Sequence, residues 1–281
     1  MSIRVAPTAS GFGAAITGVD LAAPIAAPDL ATIRSAWLEH QVVYFPDQPL
    51  DHKQLEAFTL SMGDFGHDPF VVPLDNHQNI LEIRREPNEV VSPFGGSWHS
   101  DWSFQEAPPS ATILHAKTIP PIGGDTLYAD GRAAYDALPP TMQSELEELQ
   151  AVHSARRPYS PEGYVASGGL DRSMEIVPTN KAWATQLHPV VRTHPETGRK
   201  ALWINPVYTL SIHGMPEPTS TKLLASLFEH VLQDEFIYTH KWSENMLTMW
   251  DNRSVQHCAQ GGYDGHLRVL HRTTVAGDIP V

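Results

Sequence analysis

Leu223, Leu224, Leu227, Phe228 and Val231 fall on one face of a 3.6-residue repeat, and Pro218-Thr219 just ahead of them marks a helix start. Leu30, Ile33 and Trp37 behind Pro28-Asp29 repeat the pattern, and Leu55, Phe58 and Met62 form a shorter stripe. A fourth helix is expected over 141–149, after the Pro139-Pro140 break. Between these lie short apolar, β-branched runs at 42–45, 80–84, 111–116, 190–193, 201–205, 236–242, 246–250 and 267–276, which read as strands. Proline (24) and glycine (19) are scattered among them, as many short strands joined by turns require. The expectation is a mainly β chain with flanking helices, a sandwich or jelly roll. No repeat, charge block or low-complexity linker divides it, so residues 1–281 read as a single domain. Residues 156–184 are polar and rich in Gly and Pro, fitting either a lid over a site or a plain surface excursion.

Composition narrows the function classes. Hydrophobic residues at 41% and charged ones at 18% suit a sizeable core. A formal charge of −13 argues against a surface that tracks phosphates, so nucleic acid is not an expected partner, whereas a few buried arginines could still hold a small anion. No apolar run approaches the roughly 18 residues needed to span a bilayer. Cys258 is the one cysteine, which rules out an internal disulfide and fits a reducing cytoplasm. Residues 1–11 lack a signal-length apolar run, so a cytoplasmic location is expected.

The candidate chemistry sits in Trp98-His99-Ser100-Asp101 and a distant His257. Two ligands at i, i+2 on an extended strand point the same way, and a third imidazole would complete a two-His, one-carboxylate face on an octahedral metal. His-x-Asp alone is a weak signal. His194-Pro195-Glu196 offers the same ligand types, but its Thr-His-Pro-Glu-Thr-Gly setting reads as an exposed turn. His99 is better placed, behind the flexible Gly95-Gly96-Ser97 and among Trp98, Trp102 and Phe104; a plain hydrogen-bonded core histidine is the competing reading. Arg268 and Arg272, four apart in an apolar run, share a strand face and stand roughly 13 Å apart at ~3.3 Å per residue. Arginine grips carboxylates and sulfonates bidentately, so the two suggest a pair of bound anions or, more blandly, structural ion pairs. Cys258, next to a proposed ligand, would face the other way as a small buried residue, and His271 would face away from the arginines.

Taken in order, Gly18-Val19-Asp20-Leu21, Trp98-His99-x-Asp101, Gly123-Gly124-Asp125-Thr126, Arg132 to Leu138, Trp250-Asp251-Asn252-Arg253, His257, Arg268 and His271-Arg272 resemble the taurine dioxygenase and 2,4-dichlorophenoxyacetate dioxygenase family of Fe(II)/2-oxoglutarate enzymes, nearly end to end. The resemblance implies a double-stranded β-helix and an iron held by His99, Asp101 and His257. It also implies 2-oxoglutarate paired through its distal carboxylate with Arg268 and Thr126, with Arg272 facing the acid group of a small organic substrate. O₂ would be consumed, 2-oxoglutarate decarboxylated to succinate and CO₂, and a substrate C–H bond hydroxylated; a dimer or tetramer is usual among such relatives. The carboxylate of Asp101 disfavours halogenation. The match departs around the substrate: Asp68, with His67 beside it, stands where a histidine before proline is expected, Gly95 replaces an asparagine, and Trp102 replaces a small residue. Taurine is therefore disfavoured, and sulfonates, aryloxyalkanoates or alkyl sulfates that could stack on Trp102 or Phe104, with His67 as a further contact, fit better. Ile83-Arg84-Arg85-Glu86 also resembles the phenoxypropionate-cleaving branch. A zinc hydrolase and a non-enzymatic jelly-roll metabolite-binding protein are the other classes. The first lacks an HExxH-type motif, and the second does not explain the triad together with Thr126.

Overall fold

The computed structural model describes residues 2–167 and 172–281. Its largest sheet has seven strands, in spatial order Arg4–Pro7, Ala14–Thr17, Val42–Phe45, Leu247–Asp251, Ala111–Thr118, Arg268–Val275 and Leu81–Arg85. Leu247–Asp251 and Arg268–Val275 are buried at every residue. Being covered on both faces explains why neither alternates, and in Arg268–Val275 even Arg268, His271, Arg272, Thr273 and Thr274 are buried. Pairings are antiparallel except between Ala14–Thr17 and Val42–Phe45, whose connection carries the helix Ala27–His40, as a parallel crossover requires.

One face of this sheet is packed by Ala27–His40 and by His52–Met62, which set Ile33, Trp37, Leu55 and Phe58 against Val43, Phe45, Ile113 and Met249. Asp51 starts the second helix with a capping box to Gln54, and Pro28 lies in the first turn of the other. The opposite face meets a three-stranded sheet, ordered Ile237–His240, Thr126–Asp130 and Val255–Ala259, through Tyr128 and Val255 on Trp250 and Val42. Arg268 and Arg272 lie at this interface. The helix Glu217–Val231 buries Leu224, Leu227 and Val231 in a separate cluster with Leu202 and Ile204.

The helical stripes mark real helices, with 141–149 forming as Pro140–Glu147. Two strands are shorter than expected: 201–205 is strand only at Lys200–Leu202, and 236–242 only at Ile237–His240, after a 3₁₀ turn at Asp234–Phe236. Composition did not announce the strands Arg4–Pro7, Ala14–Thr17, Thr126–Asp130, Gln150–Ser154, Thr185–Pro189, Thr209–Ile212 and Val255–Ala259. Arg4–Pro7 is a mostly exposed edge, and Thr209–Ile212 carries a bulge that breaks its alternation. In the stretch 156–184, short helices occupy Arg156–Tyr159 and Tyr164–Ser167 and a 3₁₀ turn Asn180–Trp183; residues 168–171 lie outside the described residues. Tyr159, Met174 and Ala182 from this stretch are buried with Phe70, Trp102 and Tyr208. Among the described residues no helix is long and apolar enough to cross a membrane.

Trp250-Asp251-Asn252-Arg253 closes the central strand with a buried charge network. Asp251 accepts from Arg253 Nη2 at 2.8 Å and from His194 Nε2 at 2.9 Å, and Arg253 Nη1 meets Glu196 at 2.7 Å. The His194-Pro195-Glu196 turn exposes Pro195 and Glu196 as expected, but not the histidine. His194 is 2% exposed and serves as a partner for Asp251.

Burial keeps several other histidines neutral: His115 and His188 are pushed down to about 4, and His240 and, despite Glu82 at 3.5 Å, His271 to about 3. Their folded values lie below the unfolded value near 6.5, so the unfolded chain binds more protons between about pH 3 and 6.5. The stability they contribute is complete above that window and is lost as pH falls through it, each adding up to about 1.4 kcal/mol per pH unit to the slope. Urea unfolding at pH 7 and pH 5 is expected to show a clear loss of stability at the lower pH; a flat profile would contradict the burial of these imidazoles.

Candidate active site

His99 and His257 come from distant parts of the chain and are joined by a single antiparallel bridge, His99 N–H donating to His257 O at 3.1 Å and His257 N–H to His99 O at 2.8 Å. This pair of backbone bonds sets the two imidazoles 4.2 Å apart, centroid to centroid. Asp101 does not continue a strand, as the i, i+2 spacing suggested. It begins a turn in which Trp102 takes a φ of 48°, yet its carboxylate still reaches the imidazoles. His99 Nε2 is 3.5 Å from Oδ1 and His257 Nε2 is 3.9 Å from Oδ2, and one ligand atom from each of the three residues lies within 4.8 Å of the others.

The protonation states suit metal ligation. His99 Nδ1 stands 2.7 Å from Ser97 O, an acceptor only, so Nδ1 donates there and Nε2 is the nitrogen turned to the site. Burial, then the neighbouring His99, pushes His257 down to about 3, so it is neutral near pH 7. Burial alone would raise Asp101, but Arg272, His257 and His99 together hold it far below the usual carboxylate range. Two imidazoles and one anionic carboxylate, each residue under 9% exposed, fit a divalent transition metal with positions left over. The carboxylate is also held from behind. Thr112 Oγ1 donates to Asp101 Oδ2 at 2.6 Å, accepts from Asn252 Nδ2 at 2.9 Å, and Asn252 Oδ1 accepts from Trp250 Nε1 at 3.0 Å.

A small cavity of about 40 Å³ runs from this triad between the two sheets, past Leu114 and Trp250, to Thr126 and Arg268. Arg268 is 5% exposed and donates through Nη2 to Gly124 O at 3.1 Å, while its Nε has no hydrogen-bond partner. Among the described residues no carboxylate lies within 4 Å of it, and burial lowers its pKa. Gly124, at φ 72°, makes room for it, since a Cβ there would stand 3.2 Å from Arg268 Nε. Thr126 Oγ1 accepts from Trp242 Nε1 at 3.0 Å, which leaves its own proton to donate.

A larger cavity of about 520 Å³ opens on the other side of His99 and Asp101, lined by Phe94, Trp102, Tyr159, Tyr208 and Arg172 among others. The expected substrate contacts are only partly found there. Trp102 contributes to the wall but is 1% exposed and donates through Nε1 to Asp68. Phe104 packs behind it against Phe70 and Tyr208 and does not line this cavity. His67 is exposed and contributes only its backbone carbonyl, to Gln105. Arg272 is already faced by two carboxylates: Nη1 donates to Asp68 Oδ1 at 2.8 Å, and Nη2 stands 3.2 Å from Asp101 Oδ1 without making a hydrogen bond to it. Asp68, Thr112, Tyr159 and Tyr208 were not among the residues singled out for chemistry. Asp68 had a signal, its place where a histidine was expected, whereas Thr112 sits in an ordinary strand run. Cys258 is buried, on the far side of its strand from the triad.

The chain matches the taurine catabolism dioxygenase TauD, TfdA family over residues 4–274. It is 33% identical to an alpha-ketoglutarate-dependent sulfate ester dioxygenase of Pseudomonas putida, covering 100% of this chain and 92% of that protein. It is 34% identical to the alpha-ketoglutarate-dependent 2,4-dichlorophenoxyacetate dioxygenase of Cupriavidus pinatubonensis, with 100% of both covered. Among solved structures, a taurine dioxygenase from Burkholderia xenovorans superposes with a TM-score of 0.83 at 32% identity, covering 100% of this chain and 93% of that one. AAD-2, in complex with Mn(II) and N-oxalylglycine, superposes with a TM-score of 0.81 at 31% identity, covering 100% and 99%.

Thr112→Val removes the hydroxyl behind Asp101 with little change of volume. Because such supporting groups fix a ligand's orientation, Fe(II) or Mn(II) affinity is expected to fall about 10- to 100-fold in a calorimetric titration. Unchanged affinity would show that the Thr112 bond does not orient the carboxylate.

Proposed function

The chain belongs to the taurine catabolism dioxygenase TauD, TfdA family, and we propose that its active site is built from His99, Asp101 and His257 as metal ligands with Arg268 and Thr126 as the 2-oxoglutarate grip. It is an Fe(II)/2-oxoglutarate-dependent dioxygenase, an oxidoreductase acting on a small anionic organic molecule. The observation that carries the site assignment is Arg268. A buried guanidinium with no carboxylate within 4 Å among the described residues is costly, and this one opens into the same cavity as the His99, Asp101 and His257 set. A dicarboxylate spanning the two would relieve it.

When bound, the iron, 2-oxoglutarate and O₂ supply the oxidising chemistry, with 2-oxoglutarate decarboxylated to succinate and CO₂ while a substrate C–H becomes C–OH. The chain's own residues do the rest. His99 and His257 offer lone pairs, and Asp101 offers a carboxylate that Thr112 keeps in register. Arg268 and the Thr126 hydroxyl neutralise the far carboxylate, and Leu114 and Trp250 keep water from that end. Trp102, Tyr159 and Tyr208 shape the space for the primary substrate. The N₂O set and the pairing with Arg268 favour this over a zinc hydrolase or a passive metabolite binder.

The two facing sheets support a double-stranded β-helix, and residues 156–184, which bring Tyr159 to the cavity, support a lid role within one domain. Sulfonates, aryloxyalkanoates and alkyl sulfates are the substrate classes proposed, consistent with the names of the relatives, and Asp68 beside Arg272 disfavours taurine itself. A cytoplasmic homodimer or homotetramer that binds no nucleic acid completes the reading, supported by the net charge of −13 and the lone cysteine.

Succinate formation from 2-oxoglutarate should require both iron and O₂, which neither a hydrolase nor a binding protein would show. Arg268→Gln is expected to raise the 2-oxoglutarate concentration for half-maximal succinate formation at least tenfold, by loss of a buried charge pair. A variant that saturates like the wild type would remove Arg268 from the site.

A further inference from the structure

Arg272, the arginine expected to face the substrate's acid group, borders the small cavity and not the large one, and carboxylates already face it. Arg272 is 3% exposed, lies 5.0 Å over the Trp102 ring, and is shared between Asp68 at 2.8 Å and Asp101 at 3.2 Å. Two carboxylates therefore face one guanidinium. An anion arriving there would have to displace Asp68, whose side chain is only 11% exposed, and strand it next to Asp101. Breaking a buried charge pair in this way is strongly unfavourable. Asp68 is fixed a second time by the Trp102 Nε1 bond and a third by Thr274 Oγ1 at 3.3 Å, so it is held in place behind Trp102.

Among the described residues, the arginine on the wall of the large cavity is Arg172, with Tyr164 and Val165. It is half-buried, and among the described residues no carboxylate lies within 4 Å of it. Phe94, Trp102, Tyr159, Val207 and Tyr208 line the space that it shares with His99 and Asp101. At about 520 Å³ this space falls in the range of small-molecule pockets, far larger than a two-carbon acid fills.

We infer that Arg172, not Arg272, grips the acid group of the primary substrate, and that Asp68 is the specificity-determining residue that makes it so. The substrate is then an amphiphilic acid. Its apolar body lies along Tyr159, Trp102 and Tyr208, and its oxidised carbon sits at the His99–Asp101 end, remote from the anion. This rests on the proposed function, since it takes the iron to lie at His99 and Asp101.

The test is calorimetry on protein loaded anaerobically with Fe(II) and 2-oxoglutarate, using hexyl sulfate and 4-phenylbutyrate as long anions and ethanesulfonate as a short one. Wild type is expected to bind at least one long anion and to bind ethanesulfonate at least tenfold more weakly. Arg172→Gln should weaken the long anion about 10- to 100-fold, the size of one lost charge-assisted contact, with Arg172→Lys recovering most of it. Asp68→Asn, which keeps an oxygen for Trp102, should strengthen ethanesulfonate about tenfold by releasing Arg272. Unchanged binding in Arg172→Gln, equal binding of short and long anions by the wild type, or no binding of any of the three would each overturn the inference. Binding of 2-oxoglutarate to the Fe(II) protein, measured in the same samples, checks the underlying function separately.

Discussion

Keeping one carboxylate ionised in a nearly dry interior is the constraint around which the inner face of this protein is arranged. Asp101 is 5% exposed, and burial alone would drive it towards its neutral form. It stays charged because Arg272, His257 and His99 surround it and because Thr112 donates to it from the neighbouring strand. Each of those groups is held in turn. His257 is bridged to His99 through the backbone, Thr112 is fixed by Asn252, and Arg272 is pinned on Trp102 and Asp68. A metal placed there would join a preformed negative site in which His257 is already neutral and need release no proton near pH 7.

The same strands serve both halves of the site. Arg268 and Arg272 stand on one face of Arg268–Val275, opposite Arg85 and Leu81 in the register, while His271 points to the far side near His52. One arginine has no carboxylate partner and the other has two. That asymmetry divides the interior into a narrow channel ready for a dicarboxylate and a wide cavity whose inner wall is electrically satisfied. The two meet at His99 and Asp101, where a reacting carbon and an oxidant would have to meet.

Much of this was legible in the sequence. The helical stripes and apolar runs located the central elements, the spacing of Arg268 and Arg272 placed them on one face, and the ordered motifs named the family to which the chain belongs. The rest depends on contacts between residues far apart in sequence. Asp68 meets Arg272 across 204 positions, and nothing in Gly-His-Asp-Pro announces that the carboxylate will neutralise the arginine. Thr112 looks like any strand threonine until Asp101 is folded against it across a turn. Phe104 and His67 were judged by proximity to His99 along the chain, yet the left-handed Trp102 turns the backbone so that the aromatic ring packs inward and the histidine stays outside. Local composition records neither a turn's handedness nor which of two arginines has been claimed by an acid.

The central claim is that His99, Asp101 and His257 hold iron next to a 2-oxoglutarate gripped by Arg268. An anaerobic titration of the metal-free protein with Fe(II) and then 2-oxoglutarate, followed by visible absorption, tests it most directly. The account requires a weak charge-transfer band that appears only when both are present, saturates at one equivalent of each, and is lost in Asp101→Ala. Folded, iron-loaded protein that shows no band, or a band that survives in Asp101→Ala, would contradict it.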